Sequence, residues 1–281
     1  MRTLTIGEAA AMLNVSPSTL RTWERRFGFP RPLRSPGRHR RYLHGEVAAL
    51  RTALSAGAAI SSAVSAATRA IDSDEQALVA ALTTFGPERA DRAMEAALAM
   101  RSLDRALEDV LLPSHDNIRE RAGGASATWA FAARWAADWL RRAQRLSVAD
   151  PSHGTVLVGQ AADTALDPVA PYAGALELCC VRAGAGVLAV SVGACNGLAE
   201  LVQARTPGLV VIAGGDLADD AVARWAYAAR SAAGGVPILR YRCLMGRRRI
   251  GSGPHVLPES PLDAVERILH LLGSRPAARA A

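Results

Sequence analysis

The sequence predicts a multidomain chain of α and α/β class. It has an N-terminal helical head with a basic ribbon, a central helical bundle and a C-terminal parallel sheet. Three observations predict this. The formal charge of +7 sits in the first fifth of the chain. From about residue 72 to 146 the apolar spacing is helical, with proline only at Pro87 and Pro113. From Gly154 onward, short β-branched runs alternate with helical stretches, the rhythm of a doubly wound sheet.

At 281 residues the chain has room for two or three domains, each with its own core. The patterning places divisions at 1–70, 71–148 and 149–281. No run of eighteen apolar residues is free of charge and the N-terminus has no apolar leader, so the expectation is a cytoplasmic protein with no membrane partner. Cys179, Cys180, Cys195 and Cys243 have no C-x-x-C spacing and read as small apolar residues in a reduced compartment, with no metal site. There is no lysine. Of 33 Arg and 26 acidic residues, ten Arg but only Glu8, Glu24 and Glu46 fall within residues 1–51, leaving 23 of each sign for the rest. A local positive field of that kind favours phosphate backbones.

Each element of the head has a local signal. Thr5 and Glu8 have capping-box spacing, and Ile6, Ala9, Ala10 and Leu13 follow on one helical face. Asn14 and Val15 make a turn. Ser16 caps a second helix with Pro17 at its first position. Leu20, Trp23 and Phe27 read as its core side, leaving Thr19, Arg21, Glu24, Arg25 and Arg26 outward or at the edges. Pro30 and Pro32 end it. Pro36-Gly37 is a turn between two short strands carrying Arg34, Arg38, Arg40 and Arg41, with the Tyr42 hydroxyl as a donor at the ribbon's base. Further helices begin near His44 (Val47, Leu50, Leu54) and at Ile60 (Val64, Ala67).

The ordered segments TIGEAA, VSPSTLRTWERRFGFPRP and SPGRHRRY resemble the winged helix-turn-helix of MerR-type transcriptional regulators over residues 4–68. The resemblance implies dimeric binding to double-stranded promoter DNA. It places Ser16, Thr19, Arg21, Arg25 and Arg26 on DNA from the second helix, and Arg38, His39, Arg41 and Tyr42 from the wing.

The middle segment reads as successive helices: one from Leu78, then Glu88–Met100, Leu103–Leu112, one starting at Pro113, and Thr128–Leu146. The last carries Trp129, Phe131, Trp135 and Trp139. The aromatics are either a bundle core or dimer seam, or a wall over a planar ligand. Strands follow at 155–159, 187–192, 209–213 and 237–241, with a candidate fifth at 253–257. Ligands of such sheets bind beyond the carboxyl ends of the strands, which places Gly193, Gly214 and Gly215 with Trp129, Phe131 and Trp135 as the candidate pocket. The basic loop Arg240, Arg242 and Arg247 to Arg249 is either a solvated edge or an anion contact.

Head, bundle and Rossmann-like sheet in this order resemble the cobalamin-binding, light-responsive MerR regulators. The resemblance implies a bundle Trp and a Glu-His pair above the corrin, and a His on the loop after the first strand as the lower cobalt ligand. This chain has Ala122 at the Trp position, Ala130-Phe131 at the Glu-His position and no His in GQAADTALDPVAP; His153 precedes the strand, at the wrong end. The missing imidazole disfavours cobalamin, so no cofactor is assigned. Three alternatives stay open: binding through the ring alone, a pocket refilled by aromatics as a dimerisation module, or a site for another flat molecule.

The function expected is a non-enzymatic DNA-binding transcriptional regulator. It would be a dimer or tetramer that senses or oligomerises through a degenerate cobalamin-type region, with RNA polymerase or a small-molecule effector as further partners. An architectural or adaptor role is the alternative. An enzyme is the weakest reading, because the predicted rim offers no His and no paired general acid and base; Cys195 and Asp216 could be proposed, yet Cys195 has no partner visible in the sequence.

Overall fold

Caps and breakers set the N-terminal elements where their chemistry requires. In the computed structural model, which describes residues 3–34, 40–147, 152–161, 166–193, 195–214, 219–242, 244–245, 248–249 and 255–273, β1 (Thr3–Thr5) runs into α1 (Ile6–Met12). Thr5 Oγ1 accepts the Glu8 N–H at 3.3 Å and Glu8 Oε2 accepts the Thr5 N–H at 2.6 Å, a complete capping box. Asn14 takes φ 54° in the turn. Ser16 Oγ accepts the Thr19 N–H at 3.1 Å to open α2 (Pro17–Phe27), with Pro17 in its first turn. Gly28, at φ 65°, ends it by donating to the Glu24 carbonyl, a left-handed cap that a side chain would strain.

β2 (Pro32–Arg34) and β3 (Arg40–Leu43) pair antiparallel, and β1 joins the far side of β3 in the order β1-β3-β2. The strand at Thr3–Thr5 has no sequence signal of its own; it exists because β3 offers it an edge. α3 (His44–Ser55) and the first half of α4 (Ile60–Thr83) close the core. Leu4, Leu13, Leu20, Phe29, Tyr42, Leu50 and Val64 are buried in it, and Trp23 and Phe27 lie partly buried at its margin.

α4 differs from the expectation of two helices, one at 60–67 and another from Leu78. It is continuous, because no Pro or Gly interrupts residues 60–83, and residues 70 and 71 lie inside it. α5 (Pro87–Met100) and α6 (Leu103–Ala106) follow, and a π turn at Leu107–Leu111 leads into α7 (Leu112–Ala122). The Leu112 N–H reaches Leu107 O, five residues back. Pro113 follows directly, and the widened turn gives its ring room against the Asp109 carbonyl. Pro113 thus lies within the helical run and does not start a new one.

By compactness the chain forms two units, Met1–Asn117 and Ile118–Ala281. In the second, Ser126 caps α8 (Ala127–Leu146) through the Trp129 N–H. Then come β4 (Thr155–Gln160), α9 (Ala170–Arg182), β5 (Gly186–Ser191), α10 (Leu198–Arg205), β6 (Leu209–Ala213), α11 (Asp219–Ala233) and β7 (Ile238–Tyr241). All four strands are parallel in the order β5-β4-β6-β7. β6 is buried along its whole length. α10 and α11 cover the face bearing Leu157, Val210 and Ile212. α9 packs against α12 (Pro261–Gly273) and against α8.

Of the expected fifth strand at 253–257, residues 253 and 254 lie outside the described residues, and among the described ones it is one parallel bridge, Arg240 to Val256. Its ladder stops at Leu257, whose N–H reaches Arg240 O, because Pro258 has no N–H to extend it. A two-residue hairpin, β8 (Leu244–Met245) with β9 (Arg248–Arg249), occupies the loop after β7.

Candidate nucleic-acid interface

One face of α2 is free of the core. Ser18, Arg21, Thr22 and Arg25 repeat at i, i+3, i+4 and i+7, and all four are exposed, while Leu20 is buried on the opposite side. Arg26 is also exposed, with its guanidinium 5.3 Å from the Phe27 ring centre, which draws it to the helix edge. Ser16 and Thr19 have a structural use: Ser16 Oγ lies 2.7 Å from Ser18 Oγ and 2.8 Å from Thr19 Oγ1, a hydroxyl cluster that holds the first turn. Sequence reading passed over Ser18 and Thr22, although their spacing with Arg21 and Arg25 marks them. Thr22 donates its hydroxyl back to Ser18 O at 3.1 Å, which leaves its methyl and the acceptor lone pairs of the hydroxyl oxygen for a partner.

The ribbon is fastened to α2 by Glu24. Arg40 Nε lies 3.2 Å from both carboxylate oxygens, and the Tyr42 hydroxyl donates to Oε2 at 2.9 Å. This corrects the expectation for Tyr42. Its side chain has no exposure, its hydroxyl is spent on Glu24, and burial, with the Glu24 hydrogen bond second, pushes its pKa up to about 12. It is a core residue and no phosphate donor. Glu24 in turn is an internal strut, with 17% of its side chain exposed. Arg40 keeps an exposed guanidinium and Arg41 is half-buried. Arg34 stands opposite Arg40 in the strand register. Arg38 and His39 lie outside the described residues.

The root of the ribbon is tied to distant chain. The Arg31 N–H donates to Glu46 Oε2 at 2.9 Å, and Arg31 Nη1 pairs with Asp109 Oδ1 at 3.0 Å across 78 residues. Glu46 is 4% exposed. Burial raises its pKa above the ordinary 4.5, against the lowering effects of the Arg31 N–H, Arg105 and the Arg31 charge. A raised folded-state value means that the folded chain holds the proton more tightly than the unfolded one. The resulting stability is present below the unfolded value and is lost as the pH rises through the folded one. Glu46→Gln is expected to flatten this fall and to leave the protein at least as stable at neutral pH, since the amide oxygen can still accept the Arg31 N–H and Arg105 keeps Glu108 at 3.6 Å. Urea melts at several pH values measure it; a steeper fall in the variant would refute it.

Residues 5–42 match the family described as MerR family regulatory protein. The N-terminal segment is a MerR-family domain. Over 50 residues the chain is 54% identical to the HTH-type transcriptional repressor CarA of Myxococcus xanthus, covering 17% of each protein. Over 51 residues it is 39% identical to the HTH-type transcriptional regulator MlrA of Salmonella typhimurium and of Escherichia coli, covering 18% of this chain and 21% of theirs. The matched stretch therefore spans about a fifth or less of these relatives, and the likeness concerns the MerR domain alone.

Beyond the MerR domain, the second candidate site lies at the carboxyl ends of β4, β5 and β6. Trp129 is 1% exposed and its Nε1–H donates to Leu166 O at 3.0 Å, joining α8 to the loop after β4. Trp135 is also buried, 6.5 Å from the Trp139 ring centre; Phe131 is half-buried. Gly193 is exposed beyond β5 and Gly214 is buried beyond β6, while Gly215 lies outside the described residues. His153 borders a groove of about 690 Å³ at the amino ends of the strands, with Thr155, Thr206 and Leu272. It therefore stands at the end of the sheet away from this rim, as expected from its place before β4.

Of the basic loop, Arg242 is spent internally. Its side chain is 9% exposed, its guanidinium stacks 3.5 Å from the Tyr172 ring centre, and Nη1 donates to Glu259 O at 3.1 Å. Arg247 lies outside the described residues. Among the described residues there is no cluster of His, Cys, Asp or Glu able to hold a metal, and no helix is long and apolar enough to cross a membrane.

Proposed function

We propose that the chain is a transcriptional regulator that reads double-stranded promoter DNA through its MerR domain, acting as a dimer or higher oligomer. The observation that carries this is the exposed Arg21–Arg25 stripe on α2, held at a set angle to the ribbon by Glu24. A helix with polar and cationic residues at i and i+4 suits the major groove, where Arg can bond guanine bidentately. Arg26, Arg40 and Arg41, with Arg34, Arg38 and His39 of the ribbon, supply sequence-independent phosphate contacts. The confinement of net positive charge to this domain supports the same reading.

The test is binding to the chain's own promoter against random duplex of equal length at moderate salt. Equal affinity for the two would end the proposal. Within it, Arg21→Ala or Arg25→Ala is expected to cost about 1–3 kcal/mol and to relax discrimination at single base pairs. Arg41→Ala is expected to weaken every sequence alike and to reduce the salt dependence. Competition titrations with single-base operator variants separate the two behaviours.

We read the sheet unit as Rossmann-like, because its parallel order β5-β4-β6-β7 reverses direction beside β4. Its role in this proposal is to assemble copies of the chain, with RNA polymerase or a small effector as the further partner of the assembly.

A further inference from the structure

The order of strands puts a natural ligand crevice beside the carboxyl ends of β4 and β6, where the chain crosses from one side of β4 to the other. The resemblance drawn from the order of domains would place cobalamin there. The residues present do not fit it. A cobalt ligand from the protein needs a neutral nitrogen on the loop after β4, and residues 160–170 contain no histidine. Asp167, at the base of that loop, is 1% exposed and its Oδ1 accepts the Val169 N–H at 2.7 Å, in the turn that leads into α9. Leu166 O is taken by the Trp129 indole, which pins the loop to α8.

The second obstacle lies within the sheet unit. Gly159 is the next-to-last residue of β4, and a Cβ built on it would stand 2.6 Å from Cη2 and 2.7 Å from Cζ3 of Trp225. The indole, carried by α11, lies directly on the strand backbone in the space a glycine leaves. Trp225 is fully buried among Leu157, Ala161, Val192, Val210 and Ile212. Its Nε1–H has no acceptor among the described residues. A buried donor without a partner is a cost that only the packing of the ring can outweigh. With no exposure at all, that N–H is out of reach of a ligand unless α11 moves.

We infer that Trp225 and Trp129 close this crevice from within, so that the sheet unit is a plugged packing module that holds no cobalamin. Trp225 is the plug and Gly159 its seat; Trp129 is the clasp on the β4–α9 loop. The unit keeps the strand order of a ligand-binding sheet while its ligand space is occupied by its own side chains.

The test uses the full-length protein and does not depend on DNA binding. The chain is mixed with hydroxocobalamin and, in the dark, with adenosylcobalamin, then desalted. The expected result is an unchanged corrin spectrum and no retained cobalt; stoichiometric retention of either form overturns the inference. In parallel, Gly159→Ala is made in the wild type and in a Trp225→Ala background. The glycine substitution is expected to lower Tm by several degrees in the first and by much less in the second. Equal losses would show that the indole does not occupy the seat. Trp225→Leu, which retains apolar bulk without a flat ring, serves as the background should Trp225→Ala fail to fold.

Discussion

Replacing Asp74 with Ala is expected to destabilise the N-terminal unit by about 3 kcal/mol, the lower end of the range for breaking a buried ion pair from one side. Asp74 on α4 holds Arg101, at the end of α5, through Nη2 to Oδ2 at 2.6 Å. The Arg101 side chain is only 4% exposed against 18% for Asp74, so the group left behind is the one that cannot rehydrate. Arg101 Nη1 has no acceptor among the described residues, which makes its bond to Asp74 the more consequential. Burial raises the Asp74 pKa in spite of the Arg101 charge. Desolvation thus outweighs attraction at this pair, which predicts that the pair adds little net stability although breaking it is costly. Asp74→Leu combined with Arg101→Met should therefore recover most of the loss. Urea midpoints of the three variants decide it; a double variant as unstable as Asp74→Ala would refute the account.

Replacing Glu24 with Ala should have two separable effects. The buried Tyr42 hydroxyl loses its acceptor, at a cost of about 1–3 kcal/mol in stability. Arg40 loses the strut that holds the ribbon against α2. If the ribbon and α2 grip DNA together, operator affinity falls on the order of tenfold, equivalent to about 1.4 kcal/mol, on all sequences alike. Adding Tyr42→Phe to Glu24→Ala removes the orphaned hydroxyl and should restore stability while leaving affinity low. Thermal melts and binding titrations on the same samples separate the two, and coupled recovery of both quantities would contradict the strut role.

The head was legible because its signals are local. The Thr5–Glu8 box and the Ser16-Pro17 start each act over a few residues, and each stands where its side-chain chemistry requires. The sheet strands were legible for the same reason, as short apolar runs with Gly or Pro beside them. Misreadings occurred where a polar residue had a use inside the fold. Tyr42 read as a donor to DNA and Glu24 as a residue facing outward or at the helix edge, because a hydroxyl and a carboxylate in an Arg-rich stretch look solvated until their separation in space is known. Arg242 belonged to a basic run in the sequence and proved to be packed on Tyr172.

By itself the sequence determined the MerR-family head, its exposed Arg stripe, the parallel strand run and the lack of a histidine after β4. All follow from residue type and spacing within one or two turns of chain. Tertiary structure alone decided what the partners of those residues are. Tyr42 meets Glu24 across 18 residues and Arg31 meets Asp109 across 78, while Trp225 settles on Gly159 from a helix two strands further on. Such contacts depend on which faces of separate elements come together during packing. No local pattern encodes them, because the free energy that selects them is that of burying the whole interface.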